Sequence, residues 1–137
     1  MKRPLIHVQL QFDTRCGRDI ARGIINYARQ NTQWQLSHVD MHVPLVLNPQ
    51  SSGVIGQLYM PQDYKHILEA CIPIVKVGQQ TPNFRGPLVA SNDRAIGQMA
   101  GNYLMSLGLE HFAFCSSGRW PFAEDRLEGF MQALCRE

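Results

Sequence analysis

Apolar and polar side chains alternate from the first residues of the chain onward. Ile6, Val8, Leu10 and Phe12 are apolar and the residues between them are polar. This is the period of two typical of a strand, and it predicts a first strand that ends near Asp13. Apolar side chains then recur at helical spacing over residues 17–30, which predicts a helix. The same patterns predict strands over residues 34–39, 53–58, 73–78, 88–91 and 112–115, and helices over residues 62–70, 93–107 and 125–135.

Residues 42–52 interrupt this order. They include Pro44 and Pro49, so we expect an irregular connection in which a helix is short or missing. Elsewhere strands alternate with helices. The predicted fold class is therefore α/β, a parallel sheet with right-handed crossovers and helices on both of its faces.

The carboxyl ends of the strands are where a sheet of this kind binds its ligands. This rule nominates residues 13–18, 57–59, 79–80, 91–92 and 116–126. Within these segments the candidate ligand-binding residues are Asp13, Arg18, Gln57, Gln79, Ser91, Asn92, Trp120 and Arg126.

Arg18 and Arg126 are the charged candidates, and each lies near the start of a predicted helix. A guanidinium carries five donors in a rigid fork, which suits sugar hydroxyls or a carboxylate. The alternative is a solvated arginine or an ion pair with Asp19 or Glu124. Trp120 has two interpretations as well, because a loop aromatic can stack on a sugar or pack over a core edge.

Composition excludes several classes of function. The net charge of +2 comes from 13 basic and 11 acidic residues that are scattered along the chain, so DNA is not expected to be a direct partner. No nucleophile elbow, phosphate-cradling loop or dinucleotide fingerprint occurs, and we expect neither an enzyme nor a cofactor. His38, Asp40 and His42 share one face of an extended segment; we interpret them as a polar strand end and expect no metal.

Cysteine usage and the first residues indicate the compartment. The four cysteines are widely separated, as free thiols in a reducing cytoplasm are. The apolar stretch near the start is interrupted by His7 and Gln9, which is typical of a strand and not of a signal-peptide core. No run is long enough to cross a membrane. We therefore expect a cytoplasmic protein with no membrane partner.

From Pro87 onward the sequence resembles the effector domains of the lac-repressor and gal-repressor family. The matching text is Ser91-Asn92-Asp93-Arg94, Tyr103-Leu104-Met105-Ser106-Leu107-Gly108 and Arg126-Leu127-Glu128-Gly129-Phe130-Met131-Gln132-Ala133-Leu134. The family's arginine in the last motif contacts the sugar, and Arg126 matches it. The family's Asp-Asn pair stands here as Asn92-Asp93, and either residue could cap the predicted helix.

The front half, from Gly17-Arg18-Asp19-Ile20 to Tyr27-Ala28-Arg29 and Trp34, resembles the xylose-operon regulators. The resemblance implies lobes of the periplasmic-binding-protein type I with flavodoxin-like topology. Residues 1–90 would be the first lobe and residues 91–137 the beginning of a second, incomplete lobe. A pentose, with xylose first, would bind in the cleft between lobes and close them about a hinge.

The same resemblance implies that DNA is read by an AraC-type domain at the other end of the regulator, which is absent from this chain. The alternative function is a free-standing sugar-binding protein of a transport system, and a small flavodoxin-like enzyme is a third possibility. The apolar side chains of residues 91–137 have few partners in so short a lobe, so we expect a homodimer.

Overall fold

The computed structural model of the protein describes residues 3–81 and 83–135. Contacts within the chain separate into two units, Met1–Ala90 (unit 1) and Ser91–Glu137 (unit 2). The division into units is a property of the structure. The interpretation of the units as two lobes of a sugar-binding domain stays a prediction.

Unit 1 is built on a parallel sheet. Within the described residues its elements are β1 (Leu5–Leu10), α1 (Arg15–Asn31), β2 (Gln35–Asp40), β3 (Ser51–Gly56), α2 (Pro61–Glu69), β4 (Ile74–Val77) and β5 (Leu88–Val89). The strand order is β2-β1-β3-β4-β5 and each neighbouring pair is parallel. This confirms the predicted α/β class and is the flavodoxin-like order.

The two faces of the sheet carry different cores. Val8 and Leu10 pack with Ala21 of α1 on one face. Val54 and Ile74 are in register with each other and pack with Ile67 of α2 on the other face. Because alternate side chains of a strand point to opposite faces, the two helices cover opposite sides of the sheet, as predicted.

Helix α1 begins at Arg15, directly after the short turn that follows β1. The Thr14 hydroxyl accepts a hydrogen bond from the Gly17 N–H at 3.1 Å and caps the helix. A side chain at position 17 would overlap the Gln11 carbonyl, so only glycine allows this turn to lie so close to the end of β1. The helix is thereby fixed at the carboxyl end of its strand.

Residues 41–50 connect β2 to β3 without a helix, which confirms the predicted irregular connection. Three contacts hold this connection on the α2 face of the sheet. Gln9 Nε2 donates to the Val43 carbonyl at 2.9 Å, the His66 ring lies 3.1 Å from the Leu45 carbonyl, and the Leu45 side chain is buried in the α2-side core.

Unit 2 consists of α3 (Asp93–Ser106), α4 (Pro121–Leu134) and the segment between them. Helix α3 ends before Gly108, whose φ of +75° suits glycine. The two helices pack closely: a side chain at Gly97 would overlap the Arg126 carbonyl, and one at Gly129 would overlap the Arg94 carbonyl.

Four predictions of where an element lies are wrong. The first strand ends at Leu10 instead of near Asp13, because the Gln11 carbonyl already accepts hydrogen bonds from Thr14 in the turn to α1. Residues 112–115 do not form the predicted strand, because the described part of unit 2 contains no other strand to which their backbone could bond. Helix α4 begins at Pro121 instead of residue 125, with a proline in its first turn. Strand β5 spans two residues instead of four.

Candidate functional site

The strand order places a crevice between β1 and β3. The chain leaves β1 toward β2 on one side and leaves β3 toward β4 on the other, which is the switch point where open α/β sheets bind ligands. The buried Gln57 joins the two strands there, because its Oε1 accepts a hydrogen bond from the Gln11 N–H at 2.7 Å. We call residues 11–18, 57–59 and 78–80 the rim of unit 1.

Tyr59 is the aromatic side chain of the rim and is partly buried. Its ring lies against Gly78, which has a φ of +106°. Burial raises the pKa of Tyr59, the charge of nearby Cys16 raises it further, and a hydrogen bond with the Gln57 side chain opposes both. Tyr59 therefore stays a neutral phenol that offers both a ring face and a hydroxyl.

Gln79 follows β4 at the same edge of the sheet. Its Oε1 is buried, and no donor within the described residues reaches it. Buried polar atoms are almost always hydrogen-bonded, so an orphaned acceptor at a ligand-binding edge of the sheet is a functional signal.

Arg18 lies near the amino end of α1, on the rim as predicted. Its guanidinium, however, binds backbone carbonyls of the preceding turn. Arg18 Nη1 donates to the carbonyls of Phe12 and Asp13 at 3.0 and 2.8 Å, and thereby ties the helix to the turn after β1. Asp13 is exposed and is joined to Arg18 through its backbone only. Both remain predicted ligand residues without a test.

In unit 2, the two polar candidates at the start of α3 both make hydrogen bonds within the unit, and Asn92 caps the helix. Asn92 is the cap residue and its Oδ1 accepts from the Ala95 N–H at 3.1 Å. The Ser91 hydroxyl donates to Asp93 Oδ2 at 3.1 Å. Each of these side chains is exposed and already has a partner within the unit.

Arg126 of α4 is held by Asp93 of α3. Its Nε and Nη2 both lie 2.8 Å from Asp93 Oδ1, and its guanidinium stacks over the Phe122 ring at 5.2 Å. Phe122 in turn stacks on Trp120, which is half exposed. The ion pair predicted as the alternative exists, with Asp93 as the partner instead of Glu124.

A cavity of about 430 Å³ lies beneath the β2–β3 connection. It is lined by Gln57 together with residues that sequence reasoning missed, including Gln9, Asp63 and His66. The signal was present at Gln9, a polar side chain on the face of β1 that the connection covers. The missing helix at residues 42–52 was the second signal.

Among residues 3–81 and 83–135 no group of three His, Cys, Asp or Glu side chains could hold a metal ion. In the same ranges no helix combines the length and apolar character that a membrane span requires.

Comparison with known proteins shows the fold. No protein-family model matches the chain, and no curated protein matches it. A solved transcription regulator from Lactobacillus plantarum is similar, with a TM-score of 0.72 and 18% identity over 95% of this chain and 50% of that one. The transcriptional regulator CelR, solved in complex with cellobiose, has a TM-score of 0.72 and 15% identity over 97% of this chain and 46% of its own. This chain thus shares their architecture and spans about half of their length.

Proposed function

We propose that this chain is the effector-sensing segment of a transcription regulator and that unit 1 binds a small hydroxyl-rich molecule at its rim. In this role the chain binds the molecule without changing it chemically and is not an enzyme. Reading DNA is the task of another domain, of AraC type if the resemblance to xylose-operon regulators holds. A cytoplasmic location fits this role.

The buried, unpaired Oε1 of Gln79 is the observation that carries the proposal. A ligand hydroxyl that donates to it would remove an unsatisfied acceptor that costs about 1–3 kcal/mol when buried. Gln57 and the Tyr59 hydroxyl supply further polar contacts at the same edge. The Tyr59 ring offers the apolar surface on which the C–H face of a sugar packs.

A sugar fits this combination of carboxamides and an aromatic ring better than an anion does, because Arg18, the nearest candidate cation, is already bound to carbonyl groups. One solved regulator of the same fold carries cellobiose, which supports a carbohydrate as the ligand class. We propose a pentose, with xylose first, on the resemblance of the front half of the chain.

Arg126 belongs to the proposal on separate grounds. Its position in the Arg-Leu-Glu-Gly-Phe motif matches the sugar-contacting arginine of the lac-repressor family, and its fixed geometry over Phe122 limits the entropy lost on binding. Arg126→Ala should weaken sugar binding by about 1.5–3 kcal/mol, and Arg94→Ala, which removes an exposed arginine paired with Glu128, is the matched control.

The test of the rim uses Gln79→Leu and calorimetry with xylose, arabinose and cellobiose. Because the variant removes a buried unpaired oxygen, we expect it to raise the free energy of unfolding while it weakens binding of the preferred sugar by about 1–2 kcal/mol. A residue of purely structural importance would lower stability and affinity together.

Gln33→Leu is the control, since Gln33 is an exposed glutamine just before β2, at the amino ends of the strands and away from the rim. Unchanged sugar affinity in the Gln79→Leu variant, or failure of all three sugars to bind the unmodified chain, would contradict the proposal.

A further inference from the structure

The cavity beneath the β2–β3 connection exists because a helix is missing. In a doubly wound sheet the crossover from β2 to β3 is ordinarily helical, whereas here residues 41–50 cross as irregular chain. The volume of about 430 Å³ is lined by this connection, by Gln9 of β1, by the residues that follow β3, and by α2. Pockets of this size hold small molecules.

The walls of the cavity are fixed. The connection is bonded to β1 through Gln9 and to α2 through His66, at 2.9 and 3.1 Å. Leu45 and Leu58 line the cavity and also belong to the α2-side core. A ligand would therefore meet a preformed site, which keeps the ordering cost of binding low.

Three side chains of the polar lining offer acceptor atoms that no described donor occupies. Gln9 is 5% exposed, and no donor among the described residues reaches its buried Oε1. Asp63 uses Oδ2 on the Met60 N–H at 2.8 Å, and no described hydrogen bond occupies Oδ1. His66 donates from Nε2 to the Leu45 carbonyl, and no described hydrogen bond occupies its Nδ1. The matching ligand is rich in hydrogen-bond donors.

The charge balance selects a neutral donor over a cation. Lys76 is fully buried on the same side of the sheet, over the rings of Tyr64 and Phe84. Desolvation lowers the pKa of Lys76, and the charge of Asp63 opposes that effect. The negative charge of Asp63 is thus already partly balanced by a protein cation, and a second cation would gain little from it.

We propose that this cavity is a second small-molecule site, separate from the rim, for a neutral polyhydroxyl ligand of about monosaccharide size. Gln9, Asp63 and His66 accept hydrogen bonds from its hydroxyl groups, and Leu45 and Leu58 contact its carbon skeleton. Of the rim residues, the site uses Gln57 and Leu58, which also line the cavity. It requires neither Tyr59 nor Gln79, so it goes beyond the proposed function and can stand or fail without it.

The test is a two-dimensional NMR titration of the full chain with glycerol, D-glucose and D-glucosamine as probes. Glucose should shift the backbone amides of Val43, Leu45 and residues 62–66, and glucosamine, which differs by one ammonium group, should bind several-fold more weakly. Gln62→Trp places a large ring at the cavity from an exposed position and should weaken glucose binding at these amides by about tenfold or more. Lys65→Trp, an exposed change on the same helix outside the lining, should leave it unchanged.

Gln79→Leu separates this proposal from the rim. Amide shifts at Val43, Leu45 and residues 62–66 that persist in Gln79→Leu uphold the cavity site whatever happens at the rim. Shifts confined to Tyr59 and residues 78–80, which do not line the cavity, overturn it and leave the proposed function intact. Silence of the cavity amides toward glycerol and glucose at molar concentration, equal binding of glucosamine, or an unaffected Gln62→Trp variant also overturns it.

Discussion

Buried polar side chains concentrate on the α2 face of the sheet in unit 1. His7, Gln9 and Lys76 are each at most 5% exposed. Lys76 is satisfied by the Thr81 hydroxyl and by the two aromatic rings above it. Gln9 and His7 each keep one buried atom without a described partner. Buried polar atoms without a hydrogen bond lower the stability of the fold, and sites that contain them are commonly functional.

His7 gives a pH-dependent prediction. Its Nε2 lies 2.8 Å from the Ser51 hydroxyl, and burial lowers the pKa of His7 below 6.5. The folded state then binds fewer protons than the unfolded state once the pH falls below that ordinary value, so stability is present above it and is lost as the pH falls. We expect the free energy of unfolding to drop by on the order of 1 kcal/mol between about pH 7 and about pH 5.

Urea denaturation of His7→Gln should show a flatter pH profile over the same range. His111→Gln, which alters an exposed histidine of unit 2, is the control and should keep the profile of the unmodified chain. Identical profiles for the unmodified chain and His7→Gln would show that His7 does not carry the dependence.

At the scale of elements, the period of the apolar residues predicts a helix or strand correctly where that element has pairing or packing partners in the fold. The α1 and β2–β4 predictions lie within two residues of the observed bounds, because each buries an apolar stripe that its period reveals. Residues 112–115 carry an equally clear apolar pattern, yet they remain irregular. A strand is defined by its partner, which a local pattern cannot supply.

The glycines of the two helices in unit 2 give a prediction at this scale. Gly97→Ala would drive a methyl group into the Arg126 carbonyl, so α3 and α4 would have to separate. Overpacking of this kind costs about 1–3 kcal/mol, more than the roughly 1 kcal/mol that alanine gains over glycine in a helix. Thermal unfolding should show a net loss of stability.

Gly23→Ala is the matched control, because Gly23 lies in the middle of α1 with no atom within 4 Å of the added methyl group. We expect a gain of about 0.5–1 kcal/mol there. A stabilised Gly97→Ala variant would mean that the two helices of unit 2 do not pack as closely as described.

At the scale of the whole molecule, apolar exposure concentrates along α3. Met99, Tyr103 and Leu107 are 65%, 63% and 57% exposed and recur at helical spacing. A stripe of this kind is typical of a surface that associates with another. The predicted homodimer remains a prediction, with this stripe as the surface we expect it to use.

Sedimentation should show the full chain associating as its concentration rises. Tyr103→Lys should shift the equilibrium toward monomer, whereas Tyr27→Lys, a 55% exposed tyrosine on α1, should not. A single monomeric species throughout the accessible concentration range would contradict the prediction.

The site could be predicted from sequence only in part. The rule that ligands meet the carboxyl ends of parallel strands led to Gln57 and Gln79 because it needs strand positions alone. It could not reveal that Arg18 Nη1 donates to the carbonyls of Phe12 and Asp13, or that Arg126 is paired with Asp93. Hydrogen-bond partners depend on tertiary distances, which no local pattern contains.

The central claim is that a sugar binds at the rim of unit 1. Its most direct test is a crystal structure of the full chain grown with xylose. The account predicts density for the sugar at the β1/β3 crevice, with a hydroxyl within hydrogen-bonding distance of Gln79 Oε1 and a ring face against Tyr59. Ordered xylose bound elsewhere, with Gln79 Oε1 still lacking a donor, would contradict it.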